Sequence, residues 1–387
     1  MILRKFLKLV RRLGVNYSKL CVLILVCTVL YNEYLTYWLS SLAWGRLPAS
    51  ETRRVMLLVA DPQIVGDLHE PGGPVGVIRR WDCDRYLSKS YQWAMSSYKV
   101  DTVVFLGDLI DEGSEADDEK YEEYVGRINS IYPRTEGLQM IYIPGDNDIG
   151  GEGVDPVTIT KMDRFDKHFG PVKPVYSSGS NIDIVPVSRL TEHGAYNLTL
   201  KPAQLFTTKI VVAVSHVPVL PLNGRFSERV MNLVNPDLII SAHDHRGYLF
   251  TAERETRHIK GDIRRFSKAD TSPVEVVTRT DMGDDTELGV GQLTSEVAEI
   301  VVPTASYRMG VPTMGLGLVS LSSQGEIFYT NLWLPGRFSL LYTYAASLGV
   351  VIVILLVGKS LDLRRLFRRK EDHAVNSRAN YESLLRL

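Results

Sequence analysis

Val100-Asp101-Thr102-Val103-Val104-Phe105-Leu106-Gly107-Asp108-Leu109-Ile110-Asp111 is the stretch that decides the fold. An apolar, β-branched run from Val100 to Leu106 stops at a glycine and an aspartate, which reads as a buried strand opening into a tight loop. Four more runs repeat the pattern. Val55 to Ala60 precedes Asp61-Pro62-Gln63, and Leu138 to Ile143 precedes Gly145-Asp146-Asn147-Asp148. Ile210 to Val214 precedes Ser215-His216, and Leu238 to Ile240 precedes His243-Asp244-His245. In layered α/β proteins the ligand-binding residues lie beyond the carboxyl ends of the strands. Five distant segments are therefore expected to converge on one crevice.

Helical patterns alternate with these strands. Asp82 to Tyr98 has apolar residues at helical spacing, Ser114 to Ile131 places Tyr121, Tyr124, Val125 and Ile128 on one face, and Thr158 to Phe169 is a third candidate. After His245 the pattern turns strand-rich, with Tyr248 to Thr251, Val274 to Arg279, Val297 to Pro303, Leu316 to Ser322 and Glu326 to Trp333. The fold expected is α/β, two stacked sheets covered by helices. Residues 252–296, charged and Gly-rich, read as a long mobile loop, and the polar tail after Ser360 as flexible.

The 387 residues are 45% hydrophobic and 23% charged, an ordinary globular composition with room for a large core. A formal net charge of -1 argues against nucleic acid as a partner, since phosphate-backbone affinity needs clustered Lys and Arg. The cations crowd the two ends instead, Arg4 to Lys19 in front and Lys359 to Lys370 behind. They flank the two most apolar stretches, Leu20 to Trp38 and Phe338 to Val357. The second carries no charge and matches the ~20 residues a helix needs to cross hydrocarbon. The first carries Asn32 and Glu33 and has a cleaved signal peptide as its alternative reading. Its aromatic run of Tyr31, Tyr34, Tyr37, Trp38 and Trp44 suits a helix ending at an interface.

The positive-inside rule then gives a basic cytosolic N-terminus (1–19), a first transmembrane helix (20–42), a lumenal domain (50–335), a second transmembrane helix (338–357) and a cytosolic tail (358–387). Cys21 and Cys27 fall in the first span, leaving Cys83 without a lumenal partner. On this topology Asn197-Leu198-Thr199 is a glycosylation acceptor.

Hydrolysis of a phosphate ester near neutral pH needs a strong nucleophile and a sink for charge on the phosphoryl oxygens, and a pair of divalent metals supplies both. A carboxylate shared between the metals holds such a pair together. Asp108 is the candidate, because Gly107 permits the turn that presents it. His243-x-His245 offers two imidazoles from one extended segment. Each signal alone is weak, since most strand-end aspartates cap turns and most lone histidines are satisfied polar groups. Their order along the chain carries the reading.

That ordered set resembles the calcineurin-like metallophosphoesterases, whose motifs run D-x-H, GD-x-x-D, GNH-(D/E), H and GH-x-H. The resemblance covers residue 55 to about residue 245 and implies a four-layer αββα sandwich, here flanked by two transmembrane helices. Within the superfamily the chain looks like the two-span branch that removes ethanolamine phosphate from the mannoses of glycosylphosphatidylinositol (GPI) anchors. The features that carry this are Asn32-Glu33-Tyr34-Leu35-Thr36-Tyr37-Trp38, Ala60-Asp61-Pro62-Gln63, Asp148-Ile149-Gly150 and Val302-Pro303-Thr304-Ala305-Ser306-Tyr307-Arg308.

The resemblance implies that Asp61, Asp108, His245 and Gln63 hold a first metal and that Asp108, Asp146, His216 and His243 hold a second. It further implies GPI-anchored proteins as substrate, ER-export cargo receptors as partners, and a membrane location at endoplasmic reticulum exit sites, the ER-Golgi intermediate compartment or the Golgi, with export of the trimmed proteins as the consequence.

Three positions depart from the family pattern. Gln63 stands in place of His, Asp146 in place of the Asn ligand, and Asn147 in place of the His that contacts phosphate and protonates the leaving group. The first two enrich the site in oxygen and favour manganese over zinc. The third removes a general acid, since an amide donates a hydrogen bond but not a proton near neutral pH. Asp148 or His193 is the stand-in to look for. Two other readings stay open: a lumenal phosphatase for another phosphoester, and a catalytically impaired receptor that binds metal or GPI-proteins.

Overall fold

The computed structural model describes residues 16–48, 53–172, 175–176, 182–191, 210–222, 224–261, 263–277, 296–322 and 326–384. Asn197 and His193 lie outside the described residues. The chain falls into two units, Met1–Trp38 with Arg337–Leu387, and Leu39–Gly336.

In the larger unit the strands are, in chain order, β1 (Arg53–Val59), β2 (Thr102–Phe105), β3 (Gln139–Tyr142), β4 (Val175–Tyr176), β5 (Ile182–Pro186), β6 (Ile210–Val214), β7 (Leu238–Ser241), β8 (Tyr248–Glu253), β9 (Arg264–Arg265), β10 (Val274–Val277), β11 (Glu296–Val301), β12 (Gly315–Ser322) and β13 (Ile327–Trp333). They form two sheets, ordered β10-β13-β12-β1-β2-β3 and β4-β5-β6-β7-β11-β8-β9. Within the first sheet β1, β2 and β3 run parallel, with Leu58 opposite Val104 and Val104 opposite Ile141. Within the second, β5, β6, β7 and β11 run parallel. All the sequence-marked acids and histidines follow carboxyl ends of these parallel strands.

The period of two along each strand explains the layering. Met56, Leu58 and Ala60 of the β1 segment join Val104, Leu106, Ile141 and Ile143 in one buried cluster with Ile210, Val212, Val214, Leu238, Ile240 and Ile300 of the second sheet. The outer face of the second sheet, with Val211, Ala213 and Ile239, packs on Phe226, Val230 and Met231 of the helix Arg225–Leu233. The first sheet meets the helices through rings. Phe105 stands edge-on to Tyr132 at 5.0 Å between centroids, and Tyr132 edge-on to Tyr91 at 5.2 Å. Two mixed sheets with helices outside them are the α/β sandwich expected.

Boundaries shift for identifiable reasons. The second helix begins at Asp118 rather than Ser114, because the Asp117 side chain caps it by accepting from Lys120 N–H at 2.9 Å. The first of the three begins earlier, at Pro74, a residue whose fixed φ suits an opening turn. The long loop expected over 252–296 is only partly a loop: β8 extends to Glu253 and β9 follows at Arg264–Arg265, while β10, Val274–Val277, is the strand expected from Val274. The two arginines of β9 hid an edge strand that pairs with β8 by backbone. Strand β5 went unread because Asp183 and Pro186 break its apolar pattern, although every residue in it is buried.

The smaller unit contains two helical segments long and apolar enough to cross a membrane, Tyr17–Leu42 and Arg337–Asp362. The second belongs to a helix that runs from Arg337 to Leu384, so the tail expected to be flexible is helical. Cys21, Val351 and Ile354 form the centre of their contact. The polar pair that interrupts the first apolar stretch lies in a π-helical turn, Tyr31–Leu35, and is buried. Asn32 Nδ2 donates to the Leu340 carbonyl at 3.0 Å, and the Thr343 hydroxyl donates to Asn32 Oδ1 at 2.7 Å. Glu33 accepts from Tyr344 OH at 2.7 Å and pairs with Arg337 at 3.4 Å. A charge taken out of water persists only when paired. Asn32 and Glu33 are thus the polar clasp of a helical hairpin.

Candidate metal centre

Each candidate ligand sits where a strand ends and the backbone turns sharply. Among the described residues seven non-glycine positions have positive φ, and five of them are candidate ligands: Asp61 (44°), Gln63 (36°), Asp108 (52°), His243 (69°) and His245 (59°). A left-handed backbone costs roughly 1–3 kcal/mol per residue and clusters at functional sites. The strain turns each side chain out of its strand direction and into the crevice.

Asp108 occupies the middle. Its Oδ1 accepts from Asn147 N–H at 3.0 Å, and its Oδ2 accepts from Asn147 Nδ2 at 2.9 Å and Gln63 Nε2 at 2.6 Å. Gly107 and Gly145 make room for it. A Cβ on Gly107, already at φ 96°, would stand 2.5 Å from His216 Nδ1, and one on Gly145 would stand 2.0 Å from Asp108 Oδ1.

His216, 2% exposed, has its ring fixed at both nitrogens. Nδ1 lies 2.7 Å from the Leu106 carbonyl, which can only accept, so Nδ1 carries a proton. Nε2 faces Asp146 Oδ1 at 2.9 Å, Asp108 Oδ1 at 3.4 Å and His243 Nδ1 at 3.2 Å. His243 Nδ1 in turn lies 3.2 Å from Asp146 Oδ1.

Two groups of donor atoms result: Asp146, His216 and His243, and Asp61, Asp108 and His216. Oxygen and nitrogen lone pairs this close repel unless a proton or a metal cation sits among them. Asp61, 0% exposed, leaves Oδ2 with no hydrogen-bond partner while His243 N–H reaches Oδ1 at 3.3 Å. A buried carboxylate oxygen left over at the edge of such a set fits a metal.

Gln63 lies against Asp108. The His245 ring stays outside both groups, though its backbone carbonyl accepts from Thr304 N–H at 3.3 Å.

The electrostatics follow from burial and charge. Burial raises Asp61 to about 8. His216 rises to about 10, because Asp108, Asp146 and Asp61 outweigh the burial that would lower it. Asp146 is held far below the carboxylate range despite its burial by hydrogen bonds from His216 and His243. Burial lowers His245.

Asp148, weighed as a stand-in proton source, has another part. It is fully buried, and its oxygens accept from Leu109 N–H at 3.2 Å, Ile110 N–H at 3.1 Å and Gly145 N–H at 2.9 Å. It clasps the Asp108 loop to the Asp146 loop and presents nothing to the crevice. Asn147, read as a donor to phosphate, spends its amide on Asp108.

Sequence reasoning missed three other positioning residues. Glu112 accepts from the N–H groups of Asp67, Leu68 and His69 at 2.8–3.0 Å. Glu299 accepts from Val219 N–H at 2.8 Å, Leu220 N–H at 2.6 Å and Ser241 Oγ at 2.6 Å. Thr304 Oγ1 donates to the Asp61 carbonyl at 2.8 Å, while Ala305 N–H donates to that of Ala60 at 2.8 Å. An acid inside a strand-like or loop pattern gives no period to read.

Residues 64–247 match the family model for Calcineurin-like phosphoesterase. The chain carries a calcineurin-like phosphoesterase domain. Cell division control protein 1 of Saccharomyces cerevisiae is 28% identical over 308 residues, 74% of this chain and 59% of that protein, so the chain spans less than two thirds of that relative's length. Metallophosphoesterase 1 of Ailuropoda melanoleuca is 22% identical over 419 residues, 92% of this chain and 93% of the relative. A solved structure of PhoD superposes with a TM-score of 0.40 at 9% identity, over 71% of this chain and 65% of that one. The domain match and the metallophosphoesterase relatives support a hydrolase, and the Asp and His groups indicate divalent metals.

Two outcomes follow from this geometry. Gly107→Ala forces a methyl into the His216 ring and is expected to weaken metal binding by about 10- to 100-fold, the usual effect of disturbing a ligand's support. Calorimetric titration with metal measures it, and unchanged affinity contradicts the close approach. Metal must also displace protons. Asp61 keeps its proton below about 8 and His216 below about 10, so affinity weakens as pH falls below these values and strengthens as pH rises through them. Titration in two buffers of different ionisation heat registers the released protons, and a pH-independent affinity with no release contradicts the assignment.

Proposed function

We propose that the chain is a membrane-anchored phosphodiesterase that removes an ethanolamine-phosphate side branch from a mannose of GPI anchors. The observation that carries the reading is where Val302-Pro303-Thr304-Ala305-Ser306-Tyr307-Arg308 lies. This motif of the two-span branch runs along the metal centre, with Thr304 bonded to the backbones of both Asp61 and His245. A segment that carries the resemblance to that branch braces the backbone of two candidate ligands.

Asp61, Gln63, Asp108 and His245 would hold one metal, and Asp108, Asp146, His216 and His243 the other. Such a pair, when bound, supplies an activated nucleophile and stabilises charge on the phosphoryl oxygens. The chain's own residues do the arranging. Gln63 and Asn147 fix the rotation of Asp108, the Leu106 carbonyl sets the His216 tautomer, and Asp148 joins two ligand loops. Gln63 and Asp146 enrich the donor set in oxygen, which favours manganese. Asn147 supplies no proton, and the general acid whose loss typically costs about 10²–10⁴ in rate is absent from this position.

Both ends of the domain's chain run into apolar helices, which confines it to a membrane surface and raises its effective concentration toward a membrane-borne glycan. The basic flanks support cytosolic termini and a lumenal domain, and the resemblance to the two-span branch supports the endoplasmic reticulum exit sites, the ER-Golgi intermediate compartment or the Golgi as its location. GPI-anchored proteins are the substrate in this reading, and ER-export receptors the next partners of the trimmed product.

Mass spectrometry of GPI glycans from cells lacking the chain tests the reading. An extra ethanolamine phosphate, removed on rescue with the wild type but not with Asp108→Asn, is expected. An unchanged glycan sinks the proposal, and rescue by both proteins makes the chain a receptor. Metal-stripped enzyme is expected to regain most activity with manganese. Highest activity with zinc and none with manganese overturns that part.

A further inference from the structure

The helix Pro74–Ser97 turns apolar side chains both inward and outward. At about 3.6 residues per turn, Cys83, Leu87 and Ala94 fall on one face and are buried, while Val77, Ile78 and Trp81 fall on the opposite face. These three and Val75 are each more than half exposed. Beyond Trp81 the outward face becomes polar, with Arg85, Ser88 and Gln92. A surface helix ordinarily keeps its apolar stripe for the core, and a contiguous apolar patch left in solvent marks an interaction surface.

The same helix is fastened at both places where the chain leaves the domain. Tyr86 OH donates to the Pro335 carbonyl at 2.9 Å, two residues before the apolar helix that starts at Arg337. Just past its other end, Tyr98 OH donates to the Gly45 carbonyl at 2.9 Å and the Tyr98 ring stacks on Trp44 at 6.3 Å between centroids, shortly after the apolar helix that ends at Leu42. Two residues of chain span at most about 7 Å, and Trp81 precedes Tyr86 by about one and a half helical turns. The exposed apolar face is thus tied close to the residue at which an apolar helix begins.

A bilayer surface suits these residues. Trp favours the interface, where its apolar ring and its polar edge are both served, and the Arg85 guanidinium lies 5.4 Å over the Trp81 ring, a cation placed beside the apolar patch. Arg79 and Arg80, on the flanks, are paired with Glu70 and Asp67. Four side chains are too few to hold a free protein on a membrane, but a tethered domain meets that surface at high effective concentration. The contact also reaches the metal centre. Tyr307 OH donates to Asp82 Oδ2 at 2.8 Å and the Tyr307 ring meets Tyr86 edge-on at 5.2 Å, in the segment whose Thr304 braces Asp61. Seating the helix on lipid therefore fixes where the centre stands above it.

Resting on the membrane-anchored reading above and not on its substrate, we propose that Val75, Val77, Ile78 and Trp81 form a lipid-binding surface that enters the boundary between headgroups and acyl chains of the membrane holding the chain. It is a third membrane contact, lying in the surface rather than spanning it.

The test uses the full chain in dioleoylphosphatidylcholine nanodiscs, with the photo-crosslinker p-benzoylphenylalanine in place of Ile78, Glu228 or Val350 and mass spectrometry of the irradiated protein. Glu228 is exposed on the helix that packs against the second sheet, and Val350 is exposed within the second apolar helix. Lipid adducts are expected at positions 78 and 350 and not at 228. Trp81→Glu is expected to lower the yield at 78 about tenfold, the loss of one buried aromatic side chain, and to leave the yield at 350 unchanged. Lipid at 350 without lipid at 78 overturns this inference and leaves the anchoring standing. Equal yields at 78 and 228, or a yield at 78 that Trp81→Glu leaves intact, overturn it as chance collision, and a crosslink from 78 to a second copy of the chain in place of lipid overturns it in favour of a protein interface. No lipid at 350 overturns the anchoring and this inference with it.

Discussion

The structure depends on one electrostatic constraint: Asp108, Asp61 and Asp146 are brought against His216 and His243 inside a protein, where like groups repel and charges lose their water. Asp108 bears most of it. Its two oxygens take three hydrogen bonds from Gln63 and Asn147, and His216 approaches from the other side. The rest of the domain supplies what that arrangement costs. The parallel strands end together, five candidate ligand positions accept a left-handed backbone, and glycines stand where any Cβ would collide.

The loops that carry these groups are held by buried carboxylates as well as by apolar packing. Asp148, Glu112 and Glu299 each gather two or three backbone N–H groups from segments that would otherwise be free to move. A buried carboxylate with its lone pairs filled is a strong anchor, since removing it strands several donors at once. This places Asp148 among the supports. The same logic governs the apolar helices, where Glu33 and Asn32 are tolerated because Arg337, Tyr344 and Thr343 meet them.

The chemistry at the centre is asymmetric. Candidate metal donors are abundant and oxygen-rich, whereas Asn147 offers an amide already bonded to Asp108. The strength of the site lies in charge stabilisation and in fixing the geometry of the phosphoryl group.

The sequence by itself determined the layered α/β class, the two apolar helices and the ligand types, because a buried strand leaves an unbroken apolar run and a crevice residue must follow its end. Asp61, Asp108, Asp146, His216 and His243 were legible in that way. Only the tertiary structure decided what each neighbour does. Asp148 looked like a spare acid until three amides from two loops were found on it, β5 was hidden by Asp183 and Pro186, and Thr304 sits far from Asp61 along the chain. The reason is physical: strand and helix periods are local and repeat along the chain, whereas a hydrogen bond between loops of different strands is specified by one pair of residues and leaves no period to read.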